Sequence, residues 1–338
     1  MLLDLPHFEH VNVTRLEEGI SKLQKYGAKA KVIAGGTDLL ALMKDRVEGP
    51  EMRVPEVLIN IKSIPELNSI TNDEKGLRIG AAVTLNRLES AGILKENYRI
   101  LSQAARHVGT TQLRNMGTLG GNLCQRPRCM YFRHPHFTCY RKGGTKCYAI
   151  TGEHRDDHAI LGHGKCIMAH PSDMAPALIA LKTEVIILGP EGERKLPLQD
   201  FFLGPNHFTE VVLKPDEFVK GVQVPHPKNK TRQLFLKHRK RDSADFALSS
   251  VSMVARVSDG ICEDISIVLG GIAPFPHSAL RAEQIIRGRR LSEGLIMQAA
   301  ETSVEGAQPF PMNRYKIGLT KALVRRALES TGHDVVPT

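Results

Sequence analysis

The chain contains no tryptophan, and aromatic residues make up only 5% of it. Proteins that read nucleic acid normally show a known motif or an aromatic platform on which bases stack. Neither occurs here, so no nucleic-acid partner is expected. No apolar run approaches the ~20 residues that a bilayer span needs. The start, Met1-Leu2-Leu3-Asp4-Leu5-Pro6-His7, has an acid and a proline where a signal peptide carries a basic region and a long apolar core. A cytoplasmic protein without a membrane segment is the expectation. Internal repeats and low-complexity tracts are also missing.

Cysteine is scarce, at six residues, but five of the six fall in the 43 residues from Cys124 to Cys166. The spacing is Cys124-x4-Cys129-x9-Cys139-x7-Cys147-x18-Cys166, and Cys262 stands apart. A chain of 338 residues needs no cross-links to fold. In a reducing compartment the thiols stay free, which favours a metal or iron–sulfur centre over disulfides. Zinc sites usually show tight Cys-x2–4-Cys pairs, and only Cys124-x4-Cys129 approaches that. A zinc-stabilised binding module is the rival reading from outside redox chemistry.

The net charge is +10, from 46 Lys and Arg against 36 Asp and Glu. The cations are spread along the chain, with one dense run at Lys237-His238-Arg239-Lys240-Arg241. This pattern suits a solvated basic face or one that docks on acidic partners. The length allows two domains or three.

Residues 14–27 read as an amphipathic helix, with Leu16, Ile20 and Leu23 on one face. Thr14 and Glu17 form a capping box, and Gly27 stops the helix. Strands are expected at 31–34, 57–61, 77–81 and 183–188. Helical patterns follow Asp38 and Thr84 and cover 100–108 and 174–181. The Gly-, Thr- and Asn-rich stretch 109–122 is expected to be loop throughout. A shift to proline and charge at Pro225-His226-Pro227-Lys228-Asn229-Lys230 marks a domain boundary. Beyond it, 249–257 and 261–269 read as antiparallel strands joined at Ser258-Asp259-Gly260, followed by helices at 292–304 and 316–330.

Two glycine loops stand out. Ala34-Gly35-Gly36-Thr37-Asp38 lies between a strand and a helix, and Thr118-Leu119-Gly120-Gly121-Asn122 precedes the cysteines. Adjacent glycines expose backbone N–H groups, and a helix N-terminus favours phosphate. Neither loop is a spaced dinucleotide fingerprint or a Walker loop. Two loops of this type suggest one diphosphate gripped from two sides.

Four stretches, taken together, are specific: Val32-Ile33-Ala34-Gly35-Gly36-Thr37-Asp38-Leu39, Leu113 to Asn122, Ser172 to Leu178, and Phe235-Leu236-Lys237 with Arg241 and Asp245. On these the chain resembles the flavin-binding medium subunits of the xanthine oxidase family of molybdenum enzymes, over essentially its whole length. The cysteine-rich segment resembles one branch, the 4-hydroxybenzoyl-CoA reductase beta subunits, which carry a [4Fe–4S] insertion. The matching stretches are Asn122-Leu123-Cys124-x4-Cys129-Met130-Tyr131-Phe132 and Cys139-x7-Cys147-Tyr148-Ala149.

That resemblance implies an α+β fold. A two-lobed FAD-binding domain of the PCMH type would span 1–223, with the iron–sulfur insertion at 124–167. A C-terminal domain of the CO dehydrogenase flavoprotein type, a three-stranded sheet with helices, would span 228–335. The resemblance also implies that Ala34, Gly35, Gly36, Thr37, Asp38 and Leu39 wrap the FAD diphosphate. Thr118, Gly120, Gly121 and Asn122 would close on it, with Thr111 and Arg114 nearby. Asp173 would reach toward the adenosine and Lys237 toward the flavin. Cys129, Cys139, Cys147 and Cys166 would hold the cluster. The intervals around them differ from the branch pattern, which leaves Cys124, or one of His154, His158 and His163, as an alternative ligand. The subunit would hold no catalytic residue. It would carry electrons from a low-potential donor such as ferredoxin to a [2Fe–2S] subunit, while a molybdenum cofactor subunit reductively dehydroxylates 4-hydroxybenzoyl-CoA or a related phenolic. The alternative is a xanthine dehydrogenase-type hydroxylase passing electrons to NAD.

Overall fold

The computed structural model describes residues 4–332. Residues 1–3 and 333–335 of the expected domains therefore lie outside the described residues.

The chain opens with β1 (Glu9–Asn12), α1 (Leu16–Tyr26), β2 (Ala30–Ile33), α2 (Leu39–Lys44) and β3 (Val57–Asn60). The three strands form a parallel sheet in the order β1-β3-β2. Leu16, Ile20 and Leu23 of α1 pack with Val57 and Ile59 of β3 in one apolar cluster, as the helical periodicity predicts. The expected capping box does not form. Arg15 is the N-cap and makes no side-chain cap, while Glu18 accepts a 3.1 Å hydrogen bond from the Thr14 N–H. Glu18 thus captures the donor that Glu17 was expected to take. Gly27 ends the helix in a positive-φ conformation, φ 54°.

A second lobe follows: β4 (Ile70–Asp73), β5 (Gly76–Gly80), α3 (Leu85–Ser90), α4 (Gly92–Asn97), α5 (Arg99–Arg106), α6 (Thr111–Met116), α7 (Leu119–Leu123), α8 (Met130–Arg133), α9 (Met174–Ala180), β6 (Glu184–Gly189), β7 (Gly192–Pro197) and β8 (Phe218–Val224). Its antiparallel sheet has the order β4-β5-β8-β6-β7. Leu77, Ile79, Val185, Ile187 and Val222 from the sheet meet Leu101, Ala104, Ala105 and Leu178 from the helices. The expectation of unbroken loop over 109–122 fails at α6 and α7. Thr110 caps the first through Leu113 N–H and Thr118 caps the second through Gly121 N–H, both at 3.2 Å. Capping and lodging against the neighbouring 81–85 backbone outweigh the poor helix propensity of glycine.

The C-terminal part contains β9 (Thr231–His238), β10 (Ser249–Ser258), β11 (Ile261–Gly270), β12 (His277–Ser278), α10 (Leu280–Ile286), α11 (Glu293–Thr302) and α12 (Tyr315–Glu329). The antiparallel sheet has four strands, β12-β11-β10-β9, rather than three. The extra strand is two residues long, too short to leave a periodic signature. The whole is a mixed α and β fold, with a two-lobed N-terminal region and a C-terminal sheet backed by helices. Helix α9 is buried at every position, which its run of Ala, Pro, Leu, Ile and Met allows.

The cysteine segment has no long element. Between α8 and α9 the chain makes short helical turns around a small core of Cys129, Phe132, Cys139, Ala149 and Ile167, shared with Leu42 of α2.

Candidate functional site

The two glycine loops touch. A Cβ on Gly35 would stand 2.1 Å from the carbonyl oxygen of Met116, so only glycine permits this approach. Gly36, at φ 70°, turns the chain into α2. The second loop is pinned from below by three backbone hydrogen bonds: Leu85 N–H to Gly117 O, Leu119 N–H to Val83 O and Gly120 N–H to Ala81 O, at 2.8–2.9 Å. Thr118 and Asn122 are buried, while Thr37, Thr111 and Gly121 are exposed along the same seam. Asn122 is held by Ser172, whose hydroxyl donates to Oδ1 at 2.6 Å and accepts from Ala175 N–H at 3.0 Å. Arg114 is committed to Glu89 at 2.8 Å and to the carbonyls of Val108 and Gly109, and it donates to Thr111 Oγ1 at 3.3 Å.

Asp38 faces away from the glycines. Its carboxylate binds Arg133 at 2.6 Å and Arg128 at 2.9 Å, and it accepts the Arg126 N–H at 2.8 Å. Burial works to raise its pKa, but Arg128, Arg133 and the Arg126 N–H together hold it below the usual carboxylate value. The first glycine loop is thereby clamped to the cysteine segment. Asp173 and Lys237, expected to reach toward different parts of one cofactor, pair with each other at 2.6 Å. Lys237 also donates to the His107 carbonyl at 2.8 Å. This buried contact ties β9 to the turn before α9.

Cys129, Cys139, Cys147 and Cys166 line one small cavity. Cys124 is not among its lining residues, and burial followed by the nearby Glu210 charge pushes its pKa up to about 12. Backbone N–H groups face all four sulfurs: Phe132 and Tyr131 at Cys129, Lys142 and Arg141 at Cys139, Ile167 and Ala149 at Cys147, and Met168 at Cys166. A thiol–thiol hydrogen bond between Cys147 and Cys166 brings Cys147 down to about 7 and raises Cys166. Burial pushes Cys129 up to about 12 and raises Cys139. Among the described residues, no three His, Cys, Asp or Glu side chains gather as ligands of a single ion. The histidines are engaged otherwise: His154 with Ala149 O and Met312 N–H, His163 with Gln308 O, and His158 with Cys129 Sγ at 3.3 Å.

Residues 6–227 match the family described as the FAD binding domain in molybdopterin dehydrogenase. The chain belongs to this family. Residues 235–331 match the CO dehydrogenase flavoprotein C-terminal domain. Among curated relatives, the aldehyde oxidoreductase FAD-binding subunit PaoB of Escherichia coli (strain K12) is 35% identical, over 95% of this chain and 96% of that protein. The carbon monoxide dehydrogenase medium chain of Hydrogenophaga pseudoflava is 28% identical, over 96% and 97%. A solved structure of the carbon monoxide dehydrogenase of that organism, lacking the Mo-pyranopterin moiety, superposes with a TM-score of 0.77 at 26% identity. It covers 97% of this chain and 98% of that one.

The protein is thus an FAD-binding medium subunit of an oxidoreductase of the molybdenum hydroxylase family. The glycine loops fit such a subunit, because Gly35 lets two backbones close to a distance that any side chain would block. Sequence reasoning missed the residues that join the two halves of the site. Nothing in the sequence marks Arg128 and Arg133 as partners of Asp38. Glu210, buried between Arg126 at 2.9 Å and Arg141 at 3.6 Å, carries no local signal at all. Among the described residues, no helix is long and apolar enough to cross a membrane.

Proposed function

We propose that the chain is the electron-transfer subunit of a molybdenum enzyme, holding FAD on the two glycine loops and a [4Fe–4S] cluster on Cys129, Cys139, Cys147 and Cys166. The observation that carries the cluster is the convergence of these four sulfurs on one cavity ringed by backbone N–H donors. The four cysteines that line the cavity lack the tight Cys-x2–4-Cys pairs usual at zinc, which favours a cluster. Ala34, Gly35, Gly36, Thr37, Leu39, Thr118, Gly120, Gly121 and Asn122 would bind FAD. Thr111, Arg114 and the Asp173–Lys237 pair would shape its surroundings, and Asp38 would keep the diphosphate loop in register with the cluster. Flavin exchanges one or two electrons and the cluster one, which suits a relay between carriers of different capacity.

The partners are a molybdenum cofactor subunit, where substrate reacts, and a [2Fe–2S] subunit. The names of the two relatives above, an aldehyde oxidoreductase and a carbon monoxide dehydrogenase, favour oxidation of a small substrate, with an aldehyde first. The likeness of the cysteine segment to the 4-hydroxybenzoyl-CoA reductase branch favours a second reading, reductive dehydroxylation fed by ferredoxin. Purification of the assembled complex under anaerobic conditions tests the cofactors: about four irons and one FAD per chain are expected from four cluster cysteines and one pair of loops. A colourless chain containing zinc would overturn the proposal. Assays with aldehydes and an artificial acceptor, set against reduced viologen with a phenolic acyl-CoA, decide the direction.

A further inference from the structure

Two buried side chains beside the cysteine cavity have polar atoms left over. His158 is 3% exposed, its Nε2 lies 3.3 Å from Cys129 Sγ, and its Nδ1 is buried without a hydrogen-bond partner. One arrangement fits a neutral imidazole so placed. The proton sits on Nε2 and is donated to sulfur, and Nδ1 stays bare. Arg141 is 1% exposed, lines the cavity, and has a buried Nη2 without a partner. Its Nη1 is spent on the carbonyls of His207 and Thr209. Its Nε shares Glu210 with Arg126, so two cations against one carboxylate leave a charge of +2 − 1 = +1. Excess buried positive charge is costly unless negative charge stands beside it. Thiolates ligating a cluster in the cavity would supply that charge. Lys142, equally buried, differs in having its polar atom partnered: its Nζ donates to the His134 carbonyl at 2.8 Å.

We propose that His158 and Arg141 set the reduction potential of the centre held by the four cysteines. His158 does so through a hydrogen bond to the Cys129 sulfur, and Arg141 through its uncompensated charge. The proposal rests on the [4Fe–4S] reading. Taking up one electron adds one negative charge to the centre. A donor to sulfur and a nearby cation stabilise the reduced form more than the oxidised one, and so raise the potential. Both residues act through ligands and field, so they are positioning residues.

The test uses the complete complex, purified anaerobically, with His158→Leu, His158→Gln, Arg141→Met and Arg141→Lys. Iron, acid-labile sulfide and FAD are counted first. Midpoints are then read by EPR-monitored redox titration, with FAD as the internal reference. In His158→Leu the ratio of reduced to oxidised cluster at the wild-type midpoint should fall about tenfold, a shift of about 59 mV downward for one electron. His158→Gln keeps a donor and should recover most of that shift. Arg141→Met should shift the same way, and Arg141→Lys should stay near wild type. The FAD midpoint should not move. An unmoved cluster midpoint in His158→Leu with full iron overturns the proposal, as do equal shifts in the Leu and Gln variants. If the Arg141 variants lose iron, the His158 pair decides. A wild-type complex without iron removes the cluster reading and this inference with it.

Discussion

Arg133 and Asp38, 95 residues apart in sequence, meet at 2.6 Å, and Arg128 joins them from the same segment at 2.9 Å. The cysteine segment is therefore anchored to the glycine loop it would serve. Removing a carboxylate from two arginines leaves both partly buried cations unpaired. Asp38→Ala should cost about 2–3 kcal/mol, below the 3–5 kcal/mol of fully buried pairs, because all three side chains keep some exposure. Denaturant unfolding measures the loss, and FAD and iron content should fall together if the clamp couples the two sites.

The same carboxylate predicts a pH effect with a definite sign. The folded pKa of Asp38 lies below its unfolded value. The stability it contributes is therefore fully present above the unfolded pKa of about 3.9 and is lost as pH falls through the folded value. Asp38→Asn should flatten the acid limb of stability against pH in that window and leave the slope above pH 5 unchanged. Melting temperatures taken from pH 6 down to pH 3 check this. An unaltered acid limb would mean the clamp carries no linkage.

Local signals made part of the fold legible. The spacing of Leu16, Ile20 and Leu23 marks α1, and the Asp259-Gly260 pair, both at positive φ, forms the turn expected between β10 and β11. The first glycine loop was legible as a turn because consecutive glycines between a strand and a helix have few other uses. The partnerships were not. Asp38 finds its arginines, Lys237 its aspartate and Arg141 its glutamate only after the chain has folded, across 64 to 95 residues. A single sequence carries no periodicity for such contacts. The helices α6 and α7 were hidden for a related reason, since their glycines oppose helix and only the threonine caps and the packed neighbours favour it.

Gly35 offers a test confined to the flavin side. An alanine Cβ would sit 2.1 Å from Met116 O, and backbone cannot yield as a flexible side chain does. The loops must part, at a cost of about 1–3 kcal/mol typical of overpacking. Gly35→Ala should weaken FAD binding roughly 5- to 100-fold, by the arithmetic of 1.4 kcal/mol per tenfold. Flavin fluorescence titration of the flavin-free protein measures it. The iron content should stay at the wild-type value, because Gly35 contacts the 116–117 backbone and not the cysteine segment.

The proposed cluster separates the cysteines into four expected ligands and one bystander. Serine at Cys129, Cys139, Cys147 or Cys166 should each lower iron to less than half of wild type, since a hydroxyl is a poor replacement for a thiolate at iron. Cys124→Ala should keep its iron, because Cys124 lies outside the cavity those four line. Iron and sulfide analysis of the five variants distinguishes this from a centre that uses Cys124.

Lys237 and Asp173 join the C-terminal sheet to the FAD-binding lobes, and their side chains are 1% and 4% exposed. A buried pair of this kind punishes loss of one partner more than loss of both, because a lone charge is left desolvated. Lys237→Met and Asp173→Asn should each destabilise by about 3–5 kcal/mol. The double variant should cost less than the sum of the two, with an interaction energy of about 1–3 kcal/mol. Lys237 also donates to the His107 carbonyl, so Lys237→Met should be the worse of the single variants by about 1 kcal/mol, the worth of one hydrogen bond. Unfolding of all four proteins in urea completes the cycle. Strict additivity would show that the two groups, though in contact, do not depend on each other.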